Sequence, residues 1–417
     1  MRCLQTARSH PAGLREFERM GVFMTAATAP RVLFDVTDLM RLTAAGHTPN
    51  GIPRVLAECL IPLVDSVPNL VAVFFSPISR AYCEVDSARL VAEDAGYATA
   101  LQPGAKDYAR RLCARLGPLR SRRVVPRADD TILILGTGWD HPRRHRYLFG
   151  PGAPECRVVW FCHDLIPILY PQFVPEGSTF PQVFREWLDA ALAHGHEFVC
   201  STRFVEAGLG GYAAGRGMAP RISVVPLAHE FTPVEGPVRD EILLMAGRRT
   251  VLCVNSIGLR KNQIALLRSW RRLHDEFGEA LPTLVLAGAM IDPGAVEEFL
   301  ARTANIGGKA TLVGPVTDAE LTRLYRECAF TVNPSLNEGW GLSVGESLWM
   351  GKPCLSSSLT SLPEVGGSHA VYFDPRDEED MLAALRKAVR GEFAALPPPR
   401  EELRSWRQVG DGIAAVL

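Results

Sequence analysis

Short apolar runs recur along the whole chain and alternate with longer segments in which the apolar residues have helical spacing. Runs of about four to eight apolar residues bounded by turn residues are typical of strands buried on both faces, as in parallel sheets. Their alternation with helices predicts an α/β fold. The predicted strands cover residues 31–36, 70–75, 131–136, 157–162, 197–202 and 222–228 in the first half of the chain, and 249–256, 283–288, 310–315, 328–332 and 353–358 in the second.

A break in this alternation near residue 232 predicts a domain boundary. A chain of 417 residues is too long for one ordinary core, so two domains of similar size are expected. The segment 232–237 contains two prolines and interrupts all periodicity, as linkers do. We therefore predict an α/β domain over residues 31–232 and a second over 233–395. Residues 1–30 hold no strong periodic pattern and are expected to form an N-terminal extension.

The most informative stretch is a glycine loop in the second half of the chain, within residues 333–346. It reads Asn-Pro-Ser-Leu-Asn-Glu-Gly-Trp-Gly-Leu-Ser-Val-Gly-Glu, follows a predicted strand and leads into a helical pattern. A strand, glycine loop and helix in this order place free N–H groups at a helix N-terminus, where a phosphate can bind. The stretch also carries two carboxylates, Glu338 and Glu346, with seven residues between them.

Polar residues follow three other predicted strands, where open α/β sheets bind their ligands. A loop with Gly51 and Arg54 follows the first strand, and His163 ends the fourth. Arg260 and Lys261 lie at the start of a predicted helix, where cations oppose the helix dipole, so a bound diphosphate would relieve the conflict. Each feature alone also fits an ordinary turn, a histidine that caps a strand, or exposed basic residues in a loop.

Composition narrows the class of protein. Hydrophobic residues make up 47% and charged residues 22% of the chain, as in soluble globular proteins, and the net charge of −1 argues against a nucleic-acid binder. The ten cysteines include no Cys-x-x-Cys pair, which favours buried free thiols in a reducing compartment. Neither a signal peptide nor a spanning helix is evident, so a cytoplasmic location is expected.

Together, these residues identify a family resemblance. The Glu338-x7-Glu346 spacing, with Gly-Lys-Pro at 351–353 and Ser-Leu-Pro-Glu-Val at 361–365 behind it, resembles the retaining glycosyltransferases of family 4. The resemblance implies a GT-B fold, in which two Rossmann-like parallel-sheet domains face each other across a cleft. It also implies that residues 396–417 form a C-terminal helix that packs back towards the first domain.

The resemblance assigns roles to the residues singled out above. His163 is expected to contact the donor sugar, Glu338 its hydroxyls, and Glu346 the ribose. Lys261 is expected to neutralise the donor diphosphate. The other implied donor-binding residues are Gly51, Arg54, Arg260, Gly339, Trp340, Gly341 and Leu342, and the implied nucleotide base site is at Gly314 and Val316.

The implied reaction is transfer of a hexosyl group from a nucleotide sugar to a glycan or lipid-linked glycan in polysaccharide biosynthesis, with GDP-mannose the favoured donor. The chain contains no Asp-x-Asp pair, so we expect no cofactor and no essential divalent metal. A nucleotide-sugar epimerase of the same architecture and a non-catalytic nucleotide-sugar-binding protein remain alternatives. A dinucleotide oxidoreductase is disfavoured, because no Gly-x-Gly-x-x-Gly follows an early strand.

The basic segment 106–127 has two interpretations. It holds eight lysines and arginines against the single acid Asp107. A solvated helix face and loop is the favoured interpretation. The alternative is peripheral contact with anionic lipid at the inner membrane surface, where a lipid-linked acceptor would be found.

Overall fold

The computed structural model describes residues 29–45, 51–85, 122–245 and 249–417, with the side chains of 42–45 left aside. Most of the N-terminal extension and residues 106–121 of the basic segment therefore lie outside the described residues. Residues 31–417 form one compact unit. Within it are two sheets, each flanked by helices, so the predicted pair of Rossmann-like parallel-sheet domains is confirmed.

The first sheet has the strand order β4-β3-β2-β1-β5-β6-β7-β8. Strands β1, β2 and β5 to β8 pair in parallel, whereas β3 and β4 add an antiparallel edge that the apolar pattern did not predict. The strands are β1 (Val32–Asp35), β2 (Leu70–Ser76), β3 (Ala81–Glu84), β4 (Arg123–Val124), β5 (Thr131–Ile134), β6 (Arg157–Cys162), β7 (Glu197–Cys200) and β8 (Ile222–Val224). The helices are α1 (Thr37–Ala45), α2 (Ile52–Ser66), α3 (Pro142–Phe149), α4 (Ile166–Leu169), α5 (Phe180–Ala193) and α6 (Arg203–Ala214).

The second sheet is wholly parallel, with the order β11-β10-β9-β12-β13-β14. This is the doubly wound order, in which the second and third strands lie on one side of the first strand and the fourth to sixth lie on the other. In such sheets, ligands bind outside the carboxyl ends of the strands where the strand order reverses, here between β9 and β12. The strands are β9 (Thr250–Val254), β10 (Thr283–Ala287), β11 (Ala310–Gly314), β12 (Cys328–Asn333), β13 (Cys354–Ser357) and β14 (Val371–Phe373). The helices are α7 (Asp240–Leu243), α8 (Gln263–Phe277), α9 (Gly294–Arg302), α10 (Asp318–Glu327), α11 (Leu342–Trp349), α12 (Leu362–Gly366), α13 (Glu378–Val389) and α14 (Trp406–Ala414).

One hydrophobic cluster contains residues of both domains. Val344 and Leu348 of α11 are buried in the same cluster as Val55 and Leu56 of α2. The C-terminal helix α14 packs on α2 so closely that a Cβ on Gly410 would come within 2.5 Å of Pro62. The helix that carries Glu346 and the helix that carries Arg54 therefore share a core, which brings the carboxyl edges of the two sheets together.

No helix in the described ranges is long and apolar enough to cross a membrane. The eight cysteines in those ranges are free thiols, and all except Cys156 are buried, as the sequence predicted. The predicted domain boundary near residue 232 is not tested further and stays a prediction.

Candidate active site

The glycine loop joins β12 to α11 and is held by side chains at both ends. Asn333 accepts a hydrogen bond from the Ser335 N–H at 3.1 Å and donates one to the Ser343 hydroxyl at 3.1 Å. Ser361 donates to the carbonyls of Glu338 (2.8 Å) and Trp340 (2.9 Å). The loop between strand and helix therefore has a fixed backbone course.

Gly341 allows the helix to begin where it does. Its φ of 107° lies in the left-handed region, which a residue with a Cβ rarely adopts. Among the described residues, none accepts a hydrogen bond from the N–H groups of Leu342 and Ser343, the first two residues of α11. Free N–H groups and the positive end of the helix dipole together make this helix start suitable for an anion.

Glu338 is buried between two cations from the loop after β9. Its Oε1 contacts Lys261 Nζ directly, and its Oε2 lies 2.9 Å from Arg260 Nη1. Arg260 Nη1 also donates to the Asn337 carbonyl at 2.6 Å. Burial alone would raise the pKa of Glu338, but Lys261 and Arg260 outweigh it and lower the pKa to about 2. This carboxylate is therefore ionised at every working pH, and we call the three residues the Glu338 cluster.

His163 lies at the end of β6, against the glycine loop of the second domain. A Cβ on Gly339 would come within 1.9 Å of the His163 carbonyl oxygen, so only glycine allows this approach. The His163 Nε2 lies 2.7 Å from the Leu135 carbonyl, and since a carbonyl can only accept, Nε2 carries the hydrogen and Nδ1 is left as an acceptor. Burial lowers the pKa of His163 to about 4, which keeps the ring neutral at neutral pH.

Other residues of the first domain also contact the glycine loop at Gly339. The Gly339 carbonyl accepts hydrogen bonds from the hydroxyls of Ser201 (2.9 Å) and Thr202 (3.3 Å), which follow β7. Asp164, next to His163, is half-buried, and its Cβ would lie 2.9 Å from a Cβ on Gly339. Burial raises the pKa of Asp164.

Glu346 is also buried and is held by one residue from each domain. Arg54 of α2 places Nη1 3.0 Å from Oε1, and Tyr325 of α10 donates its phenol hydrogen to Oε2 at 2.9 Å. Arg54 thus contacts the carboxylate expected to bind ribose. Gly51, at the N-terminus of α2, has a φ of 55°, and none of the described residues has an atom within 4 Å of an added Cβ.

The predicted base site lies at the end of β11. Gly314 has a φ of 68°, and its carbonyl accepts the Gly288 N–H at 2.8 Å. Arg239 donates to the carbonyls of Val313 (3.2 Å) and Pro315 (2.9 Å), on either side of Gly314. Val316 is half-buried and precedes α10, which begins with a capping box formed by Thr317 and Glu320.

Trp340 is placed differently from its loop neighbours. It is buried, packs in the hydrophobic cluster shared by α2 and α11, and lies 6.1 Å from the His229 ring. Its indole Nε1 is buried and has no hydrogen-bond partner in the described part of the chain. The side chain therefore anchors the loop, and a contact between Trp340 and a donor stays a prediction.

The structure thus brings residues that follow β6, β7 and β9 into contact with the glycine loop after β12. Two features of the site were not evident in the sequence. Tyr325 is one, because a tyrosine on an amphipathic helix has the pattern of an ordinary core residue. Ser361 is the other, although it lies in a segment that contributed to the family resemblance. Groups of three or more histidines, cysteines or carboxylates that could hold a metal ion are absent from the described residues.

Comparison with known proteins agrees with this arrangement. Residues 248–390 match the family model described as Glycosyl transferases group 1. The chain is 34% identical over 274 residues to the serotype-specific mannosyltransferase WbdA of Escherichia coli, a match that covers 64% of this chain and 33% of WbdA. It is 28% identical over 165 residues to the O-antigen chain mannosyltransferase B of Escherichia coli, which covers 40% of each chain. The chain therefore spans only about a third of the length of WbdA.

Solved structures establish the fold. The Anabaena HepE structure in complex with UDP and glucose superposes with a TM-score of 0.55 at 14% identity, covering 93% of this chain and 95% of HepE. WaaG, described as a glycosyltransferase involved in lipopolysaccharide biosynthesis, superposes with a TM-score of 0.51 at 12% identity over 93% of this chain and 95% of WaaG. The expected GT-B fold is confirmed.

Proposed function

We propose that the protein is a retaining glycosyltransferase of family 4 that transfers a hexosyl group from a nucleotide sugar to a glycan or lipid-linked glycan. The observation that carries the proposal is the Glu338 cluster, which lies at the start of α11 and next to His163 of the opposite domain. The match to a Glycosyl transferases group 1 model supports it. The similarity to two O-antigen or serotype mannosyltransferases supports mannosyl transfer in polysaccharide biosynthesis, and we propose GDP-mannose as the donor.

The first requirement of such a reaction is to stabilise the departing diphosphate. Negative charge grows on it while the anomeric carbon becomes cationic, and fixed positive groups or N–H donors aimed at that charge lower the barrier. Lys261, Arg260 and the N–H groups at the start of α11 supply both kinds of group. Gly51, at the N-terminus of α2, would face the diphosphate from the other domain.

The second requirement is to hold the hexose. Glu338 is ionised and accepts hydrogen bonds only, so it would bind donor sugar hydroxyls. His163 is neutral, and its Nδ1 would accept from a further hydroxyl of the same sugar. Glu346 would accept a hydrogen bond from a ribose hydroxyl, and the backbone at Gly314 and Val316 would contact the base.

The bond changes are those that the resemblance to the retaining glycosyltransferases of family 4 implies. The bond between the anomeric carbon and the diphosphate oxygen breaks, and a bond between that carbon and the acceptor oxygen forms on the same face. The acceptor's proton passes to the leaving phosphate oxygen, so that no separate base is required. The anomeric configuration is retained.

The proposal includes two expectations about the surroundings. We expect turnover without a divalent metal, because no Asp-x-Asp pair occurs in the sequence. We also expect a cytoplasmic location with peripheral contact at the inner membrane, where a lipid-linked acceptor would be met. Assays with a chelator and with anionic liposomes address these points separately.

The experiment that tests the proposal uses the purified full chain and a panel of sugar nucleotides with mannoside and lipid-linked acceptors. We expect an elongated glycan from GDP-mannose whose new linkage has the α configuration of the donor, measured by NMR. A changed sugar nucleotide without an elongated glycan would support an epimerase instead. Nucleotide-sugar binding without any product would support the non-catalytic alternative, and an inverted linkage would contradict retention.

A further inference from the structure

In the described part of the chain, the hydroxyl of Tyr325 has one hydrogen-bond partner, Glu346. Tyr325 lies on α10 with no side-chain exposure, and its phenol donates to Glu346 Oε2 at 2.9 Å. Its ring meets Phe231 edge-on, with centroids 5.5 Å apart. The tyrosine is therefore fixed by packing and aims its hydroxyl at a single carboxylate oxygen.

The other oxygen of Glu346 is held from the opposite side. Arg54 Nη1 lies 3.0 Å from Oε1, and the Arg54 guanidinium carbon lies 5.2 Å from the centroid of the same Phe231 ring. Phe231 thus packs against both residues that contact the carboxylate. We call Tyr325, Arg54 and Phe231 the Glu346 clamp.

We propose that Tyr325 is a positioning residue for nucleotide binding: it orients Glu346 so that the carboxylate accepts a hydrogen bond from a ribose hydroxyl. The proposal rests on the function proposed above and goes beyond it, because it assigns a role to a residue that would not touch the nucleotide. The ligand class is a nucleoside diphosphate with free ribose hydroxyls.

The chemistry of the clamp supports this role. A glutamate side chain has three rotatable bonds, and holding it in one orientation before binding removes an entropic cost from the binding step. Each carboxylate oxygen can accept two hydrogen bonds, so one bond from Tyr325 and one from Arg54 leave acceptor capacity for a hydroxyl. Burial raises the pKa of Tyr325 well above its ordinary value, so the phenol stays a donor.

The position of the two residues in the fold explains why they meet. Tyr325 lies in the last turn of α10, directly before β12, and Glu346 lies in α11, directly after the glycine loop that ends β12. The two helices flank the strand whose carboxyl end carries the proposed donor site. A contact here fixes the carboxylate relative to the helix start that would bind the diphosphate.

The test measures ribose discrimination by isothermal titration calorimetry on the full chain. Wild-type protein is titrated with GDP and UDP, and the tighter nucleotide is compared with its 2′,3′-dideoxy form. We expect Tyr325→Phe to weaken binding of the ribonucleotide about tenfold, the loss expected for one hydrogen bond to a charged group. Binding of the dideoxy form should change less than about twofold, because that ligand has no ribose hydroxyl to donate a hydrogen bond to Glu346.

A double-mutant cycle with Glu346→Gln tests whether Tyr325 acts through the carboxylate. On the Glu346→Gln background, Tyr325→Phe should change ribonucleotide affinity little, because the two residues act as one unit. The matched control is Tyr82→Phe. Tyr82 is also a fully buried tyrosine that donates to a buried carboxylate, Asp35 at 2.8 Å, but it lies in the first sheet. The control should lower the melting temperature without changing ribose discrimination.

The outcomes separate this inference from the proposed function. Equal weakening of ribo- and dideoxynucleotide binding by Tyr325→Phe, or full additivity with Glu346→Gln, would mean general loosening and would overturn the inference alone. Absence of GDP and UDP binding by wild-type protein would overturn both. If Tyr325→Phe does not fold, Phe231→Leu keeps the phenol but loosens its packing, and unchanged discrimination in that variant would also overturn the inference.

Discussion

Gly339→Ala tests the contact between the glycine loop and the first domain. The added Cβ would lie 1.9 Å from the His163 carbonyl oxygen and 2.9 Å from Asp164 Cβ, and real Cβ contacts under 3.0 Å are essentially never seen. The His163 oxygen belongs to the backbone, so no side-chain rotation relieves the clash. Either the loop or the strand end must move by about 1 Å.

The size of the effect can be worked from the contacts that this movement breaks. The Gly339 carbonyl loses well-formed hydrogen bonds from Ser201 and Thr202, each worth about 0.5–1.5 kcal/mol. Overpacking adds about 1–3 kcal/mol, for a total of roughly 2–6 kcal/mol. The same movement displaces the neighbouring Glu338, and a misplacement of about 1 Å can lower turnover about 100-fold.

The assay measures urea unfolding and glycosyl transfer in parallel, with Gly211→Ala as control. Gly211 lies within α6, has no atom within 4 Å of an added Cβ and has an ordinary φ, so alanine there should leave activity unchanged and stabilise the helix by about 0.5–1 kcal/mol. A Gly339→Ala protein with wild-type unfolding and turnover would refute the close approach of the loop to His163.

Two further predictions concern charge in the site. Glu338→Gln should lower turnover about 100-fold but leave GDP binding as tight as in wild type or tighter, because Lys261 and Arg260 lose the carboxylate that neutralises one of them. The control is Glu378→Gln, which removes an exposed ion pair. A loss of GDP binding in Glu338→Gln, measured by calorimetry, would contradict the reasoning. For His163, the pKa of about 4 in the folded protein lies below the ordinary value of 6.5. Between pH 4 and pH 6.5 the unfolded chain therefore binds a proton that the folded protein does not, so the free energy of unfolding falls as the pH drops. His163→Asn should therefore lose less stability than wild type between pH 7 and pH 5 in urea titrations, and equal losses would contradict a neutral buried ring.

The sequence predicted the architecture well because its strands are buried on both faces. A run such as residues 283–287 is apolar at almost every position, which fixes a parallel strand without knowledge of its neighbours. The antiparallel edge was missed because Ala81–Glu84 is short and follows β2 through a tight turn in a segment without a clear pattern. Local pattern therefore predicted the inner strands better than the edge.

The candidate site was predictable only where one segment carries the signal. The spacing of Glu338 and Glu346 and the paired cations at 260–261 are local, and the structure brings Glu338 and these cations into contact. The pairing of Arg54 with Glu346 depends on how helices from two domains share a core, which no local pattern encodes. Tyr325 was missed for a similar reason. Its place on an amphipathic helix predicts an ordinary core residue, and only the tertiary structure shows that its hydroxyl donates a hydrogen bond to Glu346.

The charges of the site explain why the loop needs its glycines. Lys261, Arg260 and Glu338 leave about one net positive charge, which is less than the negative charge that a nucleoside diphosphate brings. Under the proposed function, the N–H groups at the start of α11 would stabilise part of this difference, since the helix dipole adds about half a positive charge there. Those groups are presented only if the backbone turns sharply at Gly341 and passes against the His163 carbonyl at Gly339. Under the proposed function, backbone geometry at these two glycines, together with the charge of Glu338, would decide where the diphosphate binds.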